Sequence, residues 1–213
     1  MNVPWAEIWR LTLEHLWLVL VSTGIAVAIA LPAGIWISRN AKARPWVVGI
    51  TNVVQTIPSL AVLGFLIPIA VIGGVGKRSA IVALVLYALL PVLKNTLAGI
   101  QSVDAAVRDS AVALGMTDRQ VLFEIELPLA ARTILAGIHV ATVANIGTAT
   151  VAAAIGAGGL GVLIFRGIST VNTDLILAGA IPAALLSLGA DRILAWLETR
   201  FWQSPSSSRS GLV

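Results

Sequence analysis

Apolar residues run along the chain in long blocks, separated by short stretches where charged residues, glycine and proline gather. A membrane-crossing helix needs about 20 mostly apolar residues. Five blocks reach that length: 16–38, 47–72, 79–100, 128–151 and 175–196. The pattern predicts an all-α integral membrane protein with about five transmembrane helices. The stretch at 4–15 fits either an interfacial helix or an extension of the first span. The second block carries Pro58 in its interior, so it reads as one kinked span or as two shorter pieces. The first block follows a charged stretch, is long and lacks a small-residue cleavage site, which speaks against a removable signal peptide.

Composition agrees with this reading. The 213 residues are 58% hydrophobic and 11% charged, whereas a soluble domain is roughly 25% charged. The absence of cysteine excludes disulfides and thiolate chemistry, and two histidines outside any HExxH pattern give no zinc site. No metal and no cofactor is expected. The net charge of +4 is spread over loops instead of forming a stripe, so nucleic acid is not an expected partner.

The basic residues instead report topology. Arg39, Lys42, Arg44, Arg108, Arg119, Arg132, Arg192, Arg200 and Arg209 fall on one side, and Arg10, Lys77, Arg78 and Arg166 on the other. The positive-inside rule makes the first side cytoplasmic, with the N-terminus outside and the C-terminus inside. Trp5, Trp9, Trp17, Trp36, Trp46, Trp196 and Trp202 lie near span ends or in flanking segments, as an aromatic belt requires. The polar segment 201–213 reads as a cytoplasmic tail.

Two motifs imitate nucleotide sites. "TVAAAIGAGGLG" places Gly156, Gly158 and Gly161 in the spacing G-x-G-x-x-G, with Asp174 downstream. That fingerprint has meaning only between a strand and a helix of a βαβ unit, and here it follows a membrane span. A tight backbone turn or a close helix approach is the better reading. "GGVGKRS" lacks the first glycine and the hydroxyl residue of a phosphate loop, having Val71 and Arg78 at those places.

Polar residues inside the spans are few. All ten acidic residues lie outside the span centres, which speaks against an ion-coupled secondary carrier with midplane carboxylates. His139, near the middle of the fourth span, is expected to hydrogen-bond between helices. Gln55 and Thr56 flank Pro58, Asn95 follows Pro91, and Asn145 and Thr148 lie late in the fourth span. Pro58 and Pro91 free the carbonyls of Val54 and Tyr87, a defect tolerated where protein or water satisfies it. Gln55, Thr56, Pro58, Asn95, Asn145 and Thr148 are therefore candidates for a translocation pathway. Interhelical hydrogen bonding without substrate contact is the alternative.

The segment 101–127, "VDAAVRDSAVALGMTDRQVLFEIELPLA" with its flank, reads as two short helices. Asp104 caps the first, Gly115 suits its C-terminal turn, and Thr117 with Gln120 makes a capping box for the second. Val107, Ala111 and Leu114 form a narrow apolar stripe, fit either for a partner's groove or for the protein's own helix ends.

The run Asp109-Ser110-Ala111, then Gly115, then Ile125-Glu126-Leu127-Pro128 resembles the EAA loop of ABC-importer membrane subunits, E-A-A-x3-G-x9-I-x-L-P. Asp109 and Ser110 depart from its first two positions. "QTIPSLAVLGFLIP", "LYALLPVLKNTLAGI", "NIGTATVAAAIGAGGLG" and "TDLILAGAIPAALL" are similar to the permeases for glycine betaine, carnitine and choline. The resemblance implies a type I ABC importer permease fold in one membrane domain over 1–200, in a bacterial inner membrane. It implies ATPase coupling through Asp109, Ser110, Ala111, Leu114, Gly115, Ile125, Leu127 and Pro128. It also implies three kinds of partner: cytoplasmic ABC ATPase subunits, an external substrate-binding protein, and a second permease subunit, the same or a homologous chain. Hydrolysis of ATP then belongs to the partner, and the chain is a transport subunit with no catalytic residue. With one tyrosine and its tryptophans at the membrane surfaces, the chain offers no aromatic cage for a quaternary ammonium ion, so ligand selection is assigned to the binding protein. An amino-acid or methionine-type permease shares the loop and is the alternative; a membrane-bound oxidoreductase rests only on the glycine fingerprint.

Overall fold

In a computed structural model, residues 5–69 and 74–200 are described, and all regular structure among them is helical. The polar tail 201–213 with Trp202 and Arg209, the end of the second apolar block at 70–72, and Gly73 lie outside the described residues. The helices are α1 (Trp5–Arg39), α2 (Arg44–Thr56), α3 (Ser59–Leu66), α4 (Lys77–Gln101), α5 (Ala105–Ala113), α6 (Asp118–Gln120), α7 (Leu127–Ala152), α8 (Gly161–Ser169) and α9 (Thr173–Arg200). α1, α4 and α9 are each long and apolar enough to cross a membrane, as is the run Asp118–Ile155 that contains α7.

Several elements differ from the sequence expectation in informative ways. The stretch at 4–15 adopts the second of its two options, since from Trp5 onward it is part of α1. The second block is two pieces: α2 and α3 meet at 98°. Pro58 explains the break, because it drives the preceding residue out of the helical region, and Ile57 is extended at φ −74°, ψ 129°. The second short helix of the 101–127 segment is not separate. A π-helical turn, Val121–Glu126, joins α6 to α7. Pro128 accounts for it, since proline cannot donate to the carbonyl four residues earlier. Beside it, the Leu127 N–H reaches back five residues to Leu122 O. α8 has no counterpart among the predicted blocks; its nine residues are too few to span.

Packing is built from small residues, as expected where lipid tails remove the hydrophobic drive between helices and close van der Waals contact must substitute. α1, α4 and α7 meet through Ala26, Ala30, Ala83, Ala88, Ala141 and Ala149, with Leu18, Leu63 and Leu84 filling the wider gaps. A Cβ on Gly137 of α7 would lie 2.5 Å from Asn95 Cβ of α4, so these helices touch backbone to side chain. Leu11, Leu160, Leu163 and Leu175 pack the beginning of α1 on α8 and α9. Large apolar residues such as Ile29, Leu185 and Leu188 remain exposed, as a lipid-facing surface requires. All the described tryptophans, Trp5, Trp9, Trp17, Trp36, Trp46 and Trp196, are exposed too.

Charged contacts fix the direction of the bundle. Glu14 of α1 pairs with Lys77 at the start of α4, while Arg39 at the end of α1 pairs with Glu126 just before α7. α1 and α4 therefore run parallel and α7 runs back between the two ends. One end carries α5, and the other carries the glycine-rich turn.

Candidate functional site

α5 is built by the signals seen in the sequence. Asp104 Oδ1 accepts from Ala106 N at 2.9 Å. At the far end Gly115 has φ +84°; its N–H donates to Val112 O at 2.9 Å and the Met116 N–H to Ala111 O at 3.1 Å. This pair of bonds is a Schellman motif, which ends a helix on a left-handed residue. A Cβ on Gly115 would meet nothing within 4 Å, so backbone conformation and not packing demands glycine here. Thr117 and Gln120 complete the capping box of α6.

The stripe Val107, Ala111, Leu114 is divided. Ala111 is buried, whereas Leu114 is 83% exposed and Val107 43%. Val112 and Phe123 are exposed as well, with the Arg119 guanidinium 5.8 Å from the Phe123 ring centre. Asp109 and Ser110 face out, and the Ser110 hydroxyl is turned onto Ala106 O at 2.7 Å. Ile125 and Leu127 are half-buried and Pro128 is exposed. The α5 end thus presents an apolar surface rimmed by polar groups, the composition of a docking face.

Glu126 is the residue the sequence reading left unassigned. It is fully buried, accepts from Arg108 Nε of α5 at 2.7 Å and pairs with Arg39 of α1. The π-helical turn sets its direction: Val121 and Glu126, five apart, are buried on the same side, and Ala130 continues that face. Arg108 Nη2 donates to Ile100 O at 3.2 Å, and Arg44 donates to Ile37 O and Ser38 O. Cationic side chains on the last carbonyls of a helix are favourable. With Gln101 these groups line a cleft of about 320 Å³. Its sequence signal is an acidic residue on an inward helical face, beside the arginine-rich side of the chain.

The candidate pathway residues are not gathered into one site. Gln55 and Thr56 stand exposed at the α2–α3 break. Gln55 Nε2 donates to Tyr87 O at 3.0 Å, satisfying the carbonyl that Pro91 frees, and the Tyr87 hydroxyl donates to Ile57 O. Pro58 is exposed at the bend. Asn95 Nδ2 turns onto Pro91 O at 2.8 Å within α4. Asn145 is buried between α1 and α7, donating to Thr23 Oγ1 at 3.1 Å and Ser22 Oγ at 3.3 Å. Thr148 Oγ1 donates to Ala144 O at 3.0 Å. His139 links α7 to α9, with Glu198 Oε1 at 2.8 Å and Asp191 Oδ1 at 3.0 Å, the helix-to-helix bonding expected of it.

The glycine fingerprint is a turn. Gly156, Gly158 and Gly159 have φ of +76°, +89° and +73°, and the Gly159 N–H donates to Glu14 Oε2 at 3.2 Å. A Cβ on Gly158 would lie 2.5 Å from the Glu14 carboxyl carbon, and one on Gly161 2.0 Å from Thr150 O. The turn is moulded on α1 and has no strand before it.

Long apolar helices, a proline-bent pair and an exposed apolar patch at one end define an all-helical membrane protein. The fold is that of type I ABC importer permeases: an inward-facing structure of the MetNI methionine ABC transporter matches with a TM-score of 0.86 at 21% identity, over 95% of this chain and 100% of that one. A crystal structure of an amino acid ABC transporter with histidines matches with a TM-score of 0.70 at 20% identity, over 94% and 100%. Residues 5–203 match the family described as binding-protein-dependent transport system inner membrane component. The chain belongs to that family and is a multi-pass protein of the bacterial inner membrane. It is 45% identical to the carnitine transport permease protein OpuCD of Listeria monocytogenes, over 90% of this chain and 83% of that one. It is 46% identical to the choline transport system permease protein OpuBD of Bacillus subtilis, over 81% and 76%. Identity is 44% to the glycine betaine/carnitine/choline transport system permease protein OpuCD of Bacillus subtilis, over 87% and 80%.

Proposed function

We infer that this chain forms the membrane path for a quaternary ammonium osmoprotectant of the glycine betaine, carnitine and choline class, driven by a separate ATPase. The identity of 44–46% to permeases named for those compounds carries the substrate class. The exposed apolar α5, rigidly capped at both ends, carries the coupling role. In this reading the α5 end is cytoplasmic and the glycine turn external, in agreement with the arginine distribution. The ATPase groove receives Leu114 with Asp109, Ser110 and the Gly115 turn, while Ala111, Ile125, Leu127 and Pro128 set how the segment leaves the bundle.

Two permease subunits, each presenting one α5, fit a dimeric ATPase. Nucleotide binding draws the two α5 helices together and tilts the spans outward; hydrolysis resets them. Gln55 and Thr56, at the bend that Pro58 makes, with Thr148, are the strongest pathway residues because their side chains reach the surface of the subunit. Asn145 acts as a helix-to-helix tie beside it, and Asn95 packs against Gly137 of α7. The Tyr87 hydroxyl is engaged by Ile57 O and the described tryptophans face outward. Cation-π selection of the ammonium head therefore belongs to the external binding protein.

The test is uptake of labelled glycine betaine by the complete complex in liposomes, with the binding protein supplied and ATP at the ATPase face. Competition by unlabelled choline or carnitine is the expected result. Competition by methionine or histidine alone would move the substrate to the amino-acid class, which the fold accommodates equally well.

A further inference from the structure

Glu126 is a fully buried carboxylate held by two guanidinium groups from different helices. A carboxylate removed from water is costly unless paired and hydrogen-bonded, so its place between Arg39 and Arg108 is not incidental to the fold. Four elements converge on it. Arg108 brings α5, Arg39 brings the end of α1, and Glu126 itself sits on the π-helical turn leading into α7. Through Arg108 Nη2, Ile100 O adds the end of α4 at 3.2 Å.

α5 has few other attachments, since Ala111 is its sole buried residue. Its connections, Ser102–Asp104 before and Leu114–Thr117 after, are short but contain no regular structure. An α5 pulled by a partner would swing on those connections unless a side chain tied it to the spans. We propose that Glu126 is the positioning residue of coupling: through Arg108 it holds α5, and through Arg39 it makes α1 and the start of α7 follow α5's displacement. This rests on the reading of α5 as the ATPase-docking helix. The paired arrangement suits the task, because one carboxylate bridging two cations resists separation in both directions.

The test uses the full importer complex, permease with its ATPase, in lipid nanodiscs and proteoliposomes. Because the chain contains no cysteine, with a cysteine-free ATPase spin labels go only where placed, at Ala105→Cys on α5 and Trp36→Cys on α1. In the wild-type background the label-to-label distance stays constant between nucleotide-free and ATP-trapped states, since α5 and α1 move as one. In Glu126→Gln it changes by several ångström while the ATPase still co-purifies and hydrolyses ATP. Glycine betaine taken up per ATP falls about tenfold, within the range of coupling between sites. Arg108→Gln has the same effect, and the double variant is no worse than either single one, as for residues acting as a unit.

Constant distances in Glu126→Gln, or uptake and hydrolysis falling in equal proportion, would overturn the proposal. Should Glu126→Gln not assemble, Arg39→Gln leaves the Arg108 pair intact. A ratio of uptake to hydrolysis unchanged in that variant overturns it too. A wild-type chain that binds no ATPase would instead remove the docking reading beneath it, a result separable from those above.

Discussion

Each end of this bundle ties α1 to another span through one carboxylate, and the two ties are made differently. At the α5 end Glu126 is wholly enclosed by two guanidinium groups. At the glycine-turn end Glu14 retains 18% side-chain exposure and is held by Lys77 and the Gly159 N–H. A carboxylate wholly out of water is strongly destabilising if it is left unpaired, whereas a pair near water is weak. The α5 end thus depends on charge, and the other end on the shape of a glycine backbone moulded against α1.

The largest predicted effect breaks the buried side of this comparison. Glu126→Ala removes two charge-assisted hydrogen bonds to guanidinium groups that keep 46% and 31% exposure and should cost about 3 kcal/mol, about 1.5 for each bond, seen as loss of folded subunit in detergent unfolding or expression of the complex. At the opposite end the shape should matter more than the charge. Gly158→Ala combines φ +89° with a contact at 2.5 Å to the Glu14 carboxyl carbon, and roughly 2 kcal/mol of strain is expected. Glu14→Gln should cost at most about 1 kcal/mol, as the Lys77 side chain is 49% exposed. If Glu14→Gln proved as damaging as Glu126→Ala, the contrast between the ends would be lost.

Two smaller effects sharpen it. His139→Leu removes both of its hydrogen bonds to α9, and about 1 kcal/mol of stability is expected to go with them, the upper part of the range for such bonds in membranes. Gly115→Ala forces φ +84° on a residue with a Cβ but meets open space, so about 1 kcal/mol is expected. Its mark should fall on ATPase binding, measured by co-purification, more than on the unfolding of the spans.

Local features of this architecture could be read from the chain because their causes are local. Asp104, Gly115, Thr117 and Gln120 act within a few residues of themselves, and each performs its expected cap. Pro91 announced a free carbonyl at Tyr87, although that Gln55 would fill it depended on the α2–α3 bend. The glycine fingerprint is legible as a turn or close helix approach from its position after a span. Glu126 was missed because its partners lie 87 and 18 residues away and are chosen by the packing of helix ends. The π-helical turn has its sequence cause in Pro128, but a single proline near a helix start does not by itself specify one. α8 escaped notice because a nine-residue amphipathic helix falls below the length that hydropathy detects. Asn145 is polar inside a span like a pathway residue, and only the burial supplied by Ser22 and Thr23 of α1 distinguishes it.

The most direct measurement compares accumulation of labelled glycine betaine in proteoliposomes containing the wild-type complex and a Leu114→Asp variant, with and without ATP. The wild type should accumulate ligand only with ATP. Leu114→Asp, charged at the exposed apolar C-cap of α5, should lose both the ATPase and the uptake while its spans remain folded. Accumulation that needs no ATP, or uptake by Leu114→Asp equal to that of the wild type, would contradict coupling through α5.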